Sequence, residues 1–216
     1  MERIRSLLTN TYDSILYERF GKRLFDVIIS LLLLVLLLPF YPFIVILLLL
    51  FSGTPLLFKQ TRTGHLNQPF QIIKFRTMKN SDKKMFEFHT WTDGVPDNFI
   101  FKSPQNTEVT KIGAFLRKIS IDELPQIINV LRGEMSLIGP RPEIPEITNY
   151  YSELQKKRLM MKPGMTGWAQ VNGRADISHG NKIEFDLYYI KNVSFFMDLK
   201  ILLRTILIIL KCKGAY

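Results

Sequence analysis

From Val27 to Phe51 the sequence runs 25 residues without a charge, and the rest of the chain must be arranged around that stretch. As a helix rising 1.5 Å per residue it is long enough to cross the roughly 30 Å hydrocarbon core of a bilayer. Pro39 and Pro42 interrupt its middle. Pro39 removes a backbone hydrogen bond and kinks or breaks the helix, and Pro42 blocks simple continuation. The part before the break, Val27 to Leu38, reaches only about 18 Å, short of a full crossing. Two arrangements follow: a kinked helix that crosses, or a helix-break-helix hairpin that dips in and returns on the same side. Basic residues flank the run at both ends (Arg19, Lys22 and Arg23; Lys59 and Arg62), so the positive-inside asymmetry favours neither. A cleavable signal peptide does not fit, because the run is long and no small-residue cleavage site follows it. Met1 to Phe20 is basic and mixed, as in a helix lying on a membrane surface.

From Pro55 the character changes to that of a soluble domain. Leu56-Leu57-Phe58 and Phe70 to Arg76 read as short strands separated by a turn around Gly64 to Gln68. Lys74 and Arg76 alternate with Ile73 and Phe75, which places both cations on one strand face. Lys79 to Gln105 has no clear period and reads as a loop able to select a substrate. Thr110 to Arg117 predicts a short helix, Glu146 to Met161 an amphipathic helix, and Ile183 to Ile190 a helix carrying Asp186. Lys162 to Arg174 holds three glycines among polar and aromatic residues, a loop whose backbone can approach a ligand closely. There Trp168, Gln170, Asn172 and Arg174 suit either a nucleotide or a structural turn. The last segment, Asp198 to Lys213, fits a basic amphipathic helix on a membrane surface, with a core helix as the alternative.

The stretch richest in chemistry is Ser120-Ile121-Asp122-Glu123-Leu124-Pro125-Gln126. Ser120 and Glu123 have capping-box spacing and Pro125 falls in a first turn. Ile127, Ile128, Val130 and Leu131 supply an apolar face, and Gly133 marks a helix stop. Asp122 and Glu123 would then lie where free N–H groups and the positive dipole end favour carboxylates, phosphate, or a divalent cation between them. First-turn acids often do no more than stabilise a helix. Here Arg117 precedes them, and Arg141 follows in the stiff turn Gly139-Pro140-Arg141-Pro142-Glu143, which can fix a guanidinium fork. That combination suggests phosphate chemistry with a metal.

Composition narrows the classes. A net charge of +10 asks for an anionic partner: a phosphorylated substrate, lipid headgroups or nucleic acid. The basic residues are dispersed and accompany membrane segments, so nucleic acid is disfavoured. Cys212 is the sole cysteine, which excludes intrachain disulfides and cysteine zinc sites. His65, His89 and His179 lack metal-ligand spacing, and no GxGxxG, GxxxxGK[ST] or GxSxG motif is present.

The ordered set Lys22-Arg23-Leu24-Phe25-Asp26, the proline-broken run, Lys74 to Met78, Asp122 to Gln126, Gly139 to Pro142 and Pro163 to Gln170 resembles the bacterial sugar transferases. These are the monotopic polyprenyl-phosphate phosphoglycosyl transferases. The chain is most similar to their small catalytic-unit form. The resemblance implies an α+β protein in two parts. Residues 1–54 would form an interfacial segment and a re-entrant helix hairpin. Residues 55–216 would form a small, mainly helical cytoplasmic domain with a β-hairpin and interfacial amphipathic helices. It implies transfer of a phospho-sugar from a UDP-sugar to polyprenyl (undecaprenyl) phosphate with release of UMP, at the inner face of the bacterial plasma membrane, starting a surface polysaccharide or glycoconjugate. Asp122 would be the nucleophile and Glu123 a Mg²⁺ ligand. Lys74, Arg117, Arg141, Pro142, Gln170 and Arg174 would contact substrate, with Pro39 and Pro42 at the membrane break. Leu38 departs from the serine that often precedes the family's proline. A non-catalytic scaffold binding lipid phosphates and a lipid-diphosphate phosphatase are the competing classes. Homo-oligomerisation is left open.

Overall fold

A computed structural model describes residues 16–78, 91–92, 94–100, 109–173 and 177–211. After a π-helical turn at Tyr17–Gly21, helix α1 (Lys22–Leu37) carries the first half of the apolar run. A 3₁₀ turn at Leu38–Phe40 leads into α2 (Tyr41–Ser52). Neither proline breaks the helical path. Pro39 sits in the 3₁₀ turn and Pro42 in the first turn of α2, where a missing N–H costs little. Leu37 and Phe40 stay in the right-handed helical region, so Tyr17–Ser52 is one helical stretch of 36 residues, long and apolar enough to cross a membrane. Leu31, Leu32, Val35, Leu36, Leu38, Phe40, Phe43 and Leu50 are each at least 50% exposed. An apolar surface of that extent is not stable against water and suggests membrane association.

The two ends of this stretch are fastened to the rest of the protein. At the first, Lys22 Nζ bonds Asp198 Oδ2 at 2.7 Å and Tyr189 Oη at 2.8 Å. Arg23 donates to the carbonyls of Val130 and Leu131, orphan acceptors in the last turn of a helix. Asp26 Oδ1 accepts from Ser136 Oγ and the Leu137 amide. At the second, Ile44 and Leu48 pack with Phe75 and Leu116.

Strands β1 (Leu57–Thr63) and β2 (Pro69–Phe75) form an antiparallel hairpin in register Leu57↔Phe75 to Thr63↔Pro69, as the sequence predicts. Helix α3 (Lys111–Lys118) follows, capped by Thr110 Oγ1 accepting from the Gly113 amide. Next come α4 (Gln126–Arg132) and β3 (Ser136–Ile138).

Glu146 to Met161 does not form the single amphipathic helix expected. It gives α5 (Pro145–Thr148), α6 (Glu153–Lys156) and a 3₁₀ turn at Lys157–Met160. The interruption has a local cause. Ser152 is extended and starts a new helix through a capping box with Gln155. That Gln155 also bonds the amide and the carbonyl of Val95. Residues 94–100 are accordingly docked, with Asp97 and Phe99 carbonyls accepting from Gly180 and His179 amides. Most of the Lys79 to Gln105 expectation lies outside the described residues.

The expected loop at 162–174 is more ordered than its composition suggests. It contains β4 (Gly164–Thr166), parallel to β3, and α7 (Trp168–Asn172). The glycines belong to this packing. A Cβ on Gly164 would lie 2.1 Å from the Gly139 amide nitrogen, and one on Gly167 would lie 2.1 Å from the Gly139 carbonyl. Helices α8 (His179–Lys191) and α9 (Phe195–Leu210) complete the fold. In α9 Asp198 and Ile201 are fully buried, as in a core helix, while Phe196 is 80% exposed and Leu203, Leu207 and Leu210 are exposed on another face. The main core joins Ile72, Val130, Met135, Ile138, Tyr189 and Ile201 with Phe25, Ile29 and Leu33 of α1. Met1 to Ile15 of the expected interfacial segment, and Cys212 and Lys213, lie outside the described residues.

Candidate active site

The acidic pair is presented by a 3₁₀ turn, Ile121–Glu123, wedged between α3 and α4. This corrects the capping-box expectation. Ser120 adopts a left-handed conformation (φ 58°) and its side chain caps nothing, so Asp122 and Glu123 precede α4 instead of occupying its first turn. Packing orients them in place of the dipole: Ile121 and Leu124 join the cluster of Leu48, Phe75 and Leu116, which leaves the acids to face the polar side. Pro125 is the residue flanking α4, and Gly133 (φ 82°) ends it.

Glu123 Oε1 is held by two cations from different parts of the chain. Lys74 Nζ, near the end of β2, lies at 2.8 Å, and Arg141 Nη2 at 2.8 Å. Burial alone would push the Glu123 carboxyl up, but the charges and hydrogen bonds of Arg141 and Lys74 outweigh it and hold the group well below the usual range. Asp122 has the opposite fate. It is 9% exposed, and its carboxyl makes no hydrogen bond to a described residue. Burial first, then the Glu123 charge, push its pKa up to about 6, against the pull of Lys74, Arg117 and Arg141. Two adjacent carboxylates are thereby split, one firmly ionised and one titrating near neutrality, the pattern that separates roles in catalytic pairs. Lys74 is pushed down by burial, partly restored by Glu123. Arg141 is raised by the Glu123 charge.

The other expected site residues fall as follows. Arg117 turns its Nε to Thr77 Oγ1 at 2.9 Å and contributes its charge to Asp122. Arg76 leaves the site, bonding the carbonyls of Thr54 and Met78, so only Lys74 of that strand pair reaches the acids. Pro142 is buried, and its carbonyl accepts from Arg62 at 3.2 Å. Gln170 has both amide atoms buried without a hydrogen-bond partner among the described residues. Arg174 lies outside the described residues. Trp168 is no open platform, since it stacks on Tyr188 at 5.9 Å with Lys200 and Arg204 also over its ring. Sequence reasoning missed Arg158 and the role of Arg62. Neither stands in a motif, although the placing of Arg62 opposite Phe70 in the hairpin follows from strand pairing.

Among the described residues no group of three or more His, Cys, Asp or Glu side chains could hold a metal. The donors present, a firmly ionised Glu123 beside Asp122, fit a cation of the Mg²⁺ kind. Such an ion takes one or two carboxylates, keeps waters and completes its shell with substrate phosphate.

The sequence matches the bacterial sugar transferase family over residues 17–212. It is 42% identical over 194 residues to an "uncharacterized sugar transferase EpsL" of Bacillus subtilis, covering 89% of each chain. It is 41% identical over 202 residues to a UDP-galactose-lipid carrier transferase of Erwinia amylovora, covering 92% of this chain and 42% of that one. It is 35% identical over 202 residues to an undecaprenyl-phosphate galactose phosphotransferase of Salmonella typhimurium, again spanning 92% of this chain and 42% of the relative. With its acidic pair, its arginine turn and its apolar helix inside the matched region, the chain belongs to the bacterial sugar transferases.

Proposed function

We propose that the protein transfers a phospho-sugar from a UDP-sugar to polyprenyl phosphate at the cytoplasmic face of the bacterial inner membrane, by way of a phospho-sugar ester on Asp122. The observation that carries this reading is the split pair: a buried, weakly acidic Asp122 beside a Glu123 clamped by Lys74 and Arg141. An ionised Asp122 oxygen attacks the sugar-bearing phosphorus of the donor. The P–O bond to UMP breaks and UMP leaves with the electron pair. A phosphate oxygen of the polyprenyl phosphate then attacks the same phosphorus, and the Asp122 carboxylate departs, leaving a polyprenyl diphosphate sugar. Dividing the exchange in two lets donor and acceptor use one site in turn.

Lys74, Arg117 and Arg141 supply fixed positive charge where phosphoryl oxygens gather, and fixed charge in a partly dry site stabilises a transition state strongly. Glu123, with Asp122 beside it, would hold Mg²⁺, which when bound neutralises the donor diphosphate. The names of the Erwinia and Salmonella relatives support the donor and acceptor classes.

The membrane reading is a re-entrant helix. Its support is that Lys22, Arg23 and Asp26 at one end and Ile44 and Leu48 at the other all fasten to the same domain, while the stretch between them is exposed and apolar. Attachment of both ends to one domain is what favours a helix that returns to the side it entered from over one that crosses.

The test is UMP release from a UDP-sugar panel by purified protein. Release that needs both Mg²⁺ and polyprenyl phosphate is expected. Release of inorganic phosphate from a polyprenyl diphosphate, with no UMP from any donor, would favour a phosphatase. No turnover of either kind would favour a scaffold.

A further inference from the structure

The geometry points to Arg158, paired with Asp186, as the positioning residue that aims Arg141 at Glu123. Arg141 stands in a turn whose backbone is gripped on all sides. The Pro140 carbonyl accepts from the Gly164 amide at 2.9 Å, and the Glu143 carbonyl from the Thr63 amide at 2.9 Å. The Pro142 carbonyl accepts from Arg62. The carbonyl of Arg141 itself accepts from Arg158 Nη2 at 2.8 Å. Three of these grips come from β-structure already in place. The fourth comes from a guanidinium that is only 3% exposed.

The burial of that guanidinium is what makes it informative. Its Nη1 bonds Tyr151 Oη at 2.7 Å, and its Nη2 lies 2.6 Å from Asp186 Oδ2, with Glu143 at 3.9 Å. Asp186 is 1% exposed. A buried ion pair seldom stabilises a fold better than apolar residues of the same volume would, so a location of this kind calls for a geometric purpose. Only the planar fork of an arginine can meet Tyr151, Asp186 and the Arg141 carbonyl together; a lysine ammonium is a single point on a flexible stem. The result is a relay from α8, through the 3₁₀ turn at Lys157–Met160, to the backbone of the arginine that holds Glu123 at 2.8 Å. The Arg141 side chain is itself about half exposed, so without a fixed backbone its guanidinium would sample many rotamers.

The kinetic consequence rests on the proposed transfer reaction, and the structural one does not, so two measurements separate them. The first is the structure of Arg158→Lys, with Asp186→Asn as the second variant should the lysine protein not fold. The expected result is an intact core with Arg141 Nη2 moved more than about 1 Å from Glu123, a displacement of the size that costs an active site roughly 100-fold. An Arg141–Glu123 contact unchanged in the folded variant overturns the proposal whatever the enzyme does. The second is the rate of phospho-sugar ester formation. Arg158→Lys should lower it about 10- to 100-fold in the wild-type background and less than about twofold in an Arg141→Ala background, as for residues acting through one group. An equal loss in both backgrounds would mean a general structural role and overturns the proposal. A displaced Arg141 together with no ester in the wild-type protein would leave the positioning intact and refute the transfer reaction.

Discussion

Among the described residues, the lysine–carboxylate clusters at Lys22 and at Lys74 differ in how completely they are satisfied. At the base of α1, Lys22 meets Asp198 at 2.7 Å with side chains 9% and 0% exposed. Tyr17 bonds the same Asp198 oxygen and Tyr189 bonds the other. At the candidate active site, Lys74 meets Glu123 at 2.8 Å with side chains 18% and 20% exposed. Arg141 shares that oxygen, and Asp122 stands beside it with no hydrogen bond to a described residue. The first cluster is closed, and its product is a firmly anchored apolar helix. The second is open on one carboxyl, and an open, buried, perturbed carboxyl is what chemistry requires. The difference lies in the partners: two tyrosine hydroxyls complete the first cluster, whereas the second sets a guanidinium and a further carboxyl beside its ion pair.

That contrast can be broken from either side. The largest effect is expected from Asp122→Asn, which should lower transfer by roughly 10⁴-fold or more, as losing a nucleophile does, while leaving thermal unfolding cooperative and membrane association intact. Next is Lys22→Met, which strands Asp198 in the core. Removing one partner of a buried pair costs about 3–5 kcal/mol, so denaturation should occur far earlier, with turnover per folded molecule retained. If Lys22→Met lost turnover without losing stability, the two clusters would not be separate in function. Third, Arg141→Gln should reduce the transfer rate about 100-fold by removing one fixed charge, with little change in stability because that side chain is about half exposed.

The smallest effects are those of pH. Asp122 must be ionised to attack, so kcat/KM for the donor should rise with pH through about 6. Stability should show the opposite sign. A carboxyl whose pKa is raised on folding binds its proton more tightly in the native state, so wild-type stability falls as pH rises from about 4 through 6. Asp122→Asn removes that loss. The variant should match the wild type near pH 4 and exceed it by roughly 1–3 kcal/mol at pH 8; parallel stability curves would show that Asp122 is not strained by burial.

The β-hairpin and the acidic pair were legible because each carries a local signal: period-two alternation, and adjacent carboxylates between arginines. Three features were not. The Glu146 to Met161 pattern reads as continuous because its apolar period carries across Ser152; the capping box of Ser152 with Gln155 that interrupts it is local, whereas the Val95 segment that Gln155 also binds is revealed by no local pattern. The capping box failed because Lys74 and Arg141, distant in sequence, claim Glu123 more strongly than a local amide can. Arg158 escaped notice because one arginine in a basic helix-like stretch looks solvated, and only the fold encloses it with Asp186 and Tyr151. At Glu123 and Arg158 a long-range charge contact overrode the local preference.

The central claim is that Asp122 carries the phospho-sugar. Its most direct test is intact-protein mass spectrometry after incubation with Mg²⁺ and a panel of UDP-sugars, with no lipid acceptor. The account predicts a mass increase of one phospho-sugar with at least one donor, absent in Asp122→Asn and discharged on adding polyprenyl phosphate. A wild-type protein that releases UMP in the presence of polyprenyl phosphate yet never shows the adduct, or an adduct that persists in Asp122→Asn, would contradict it.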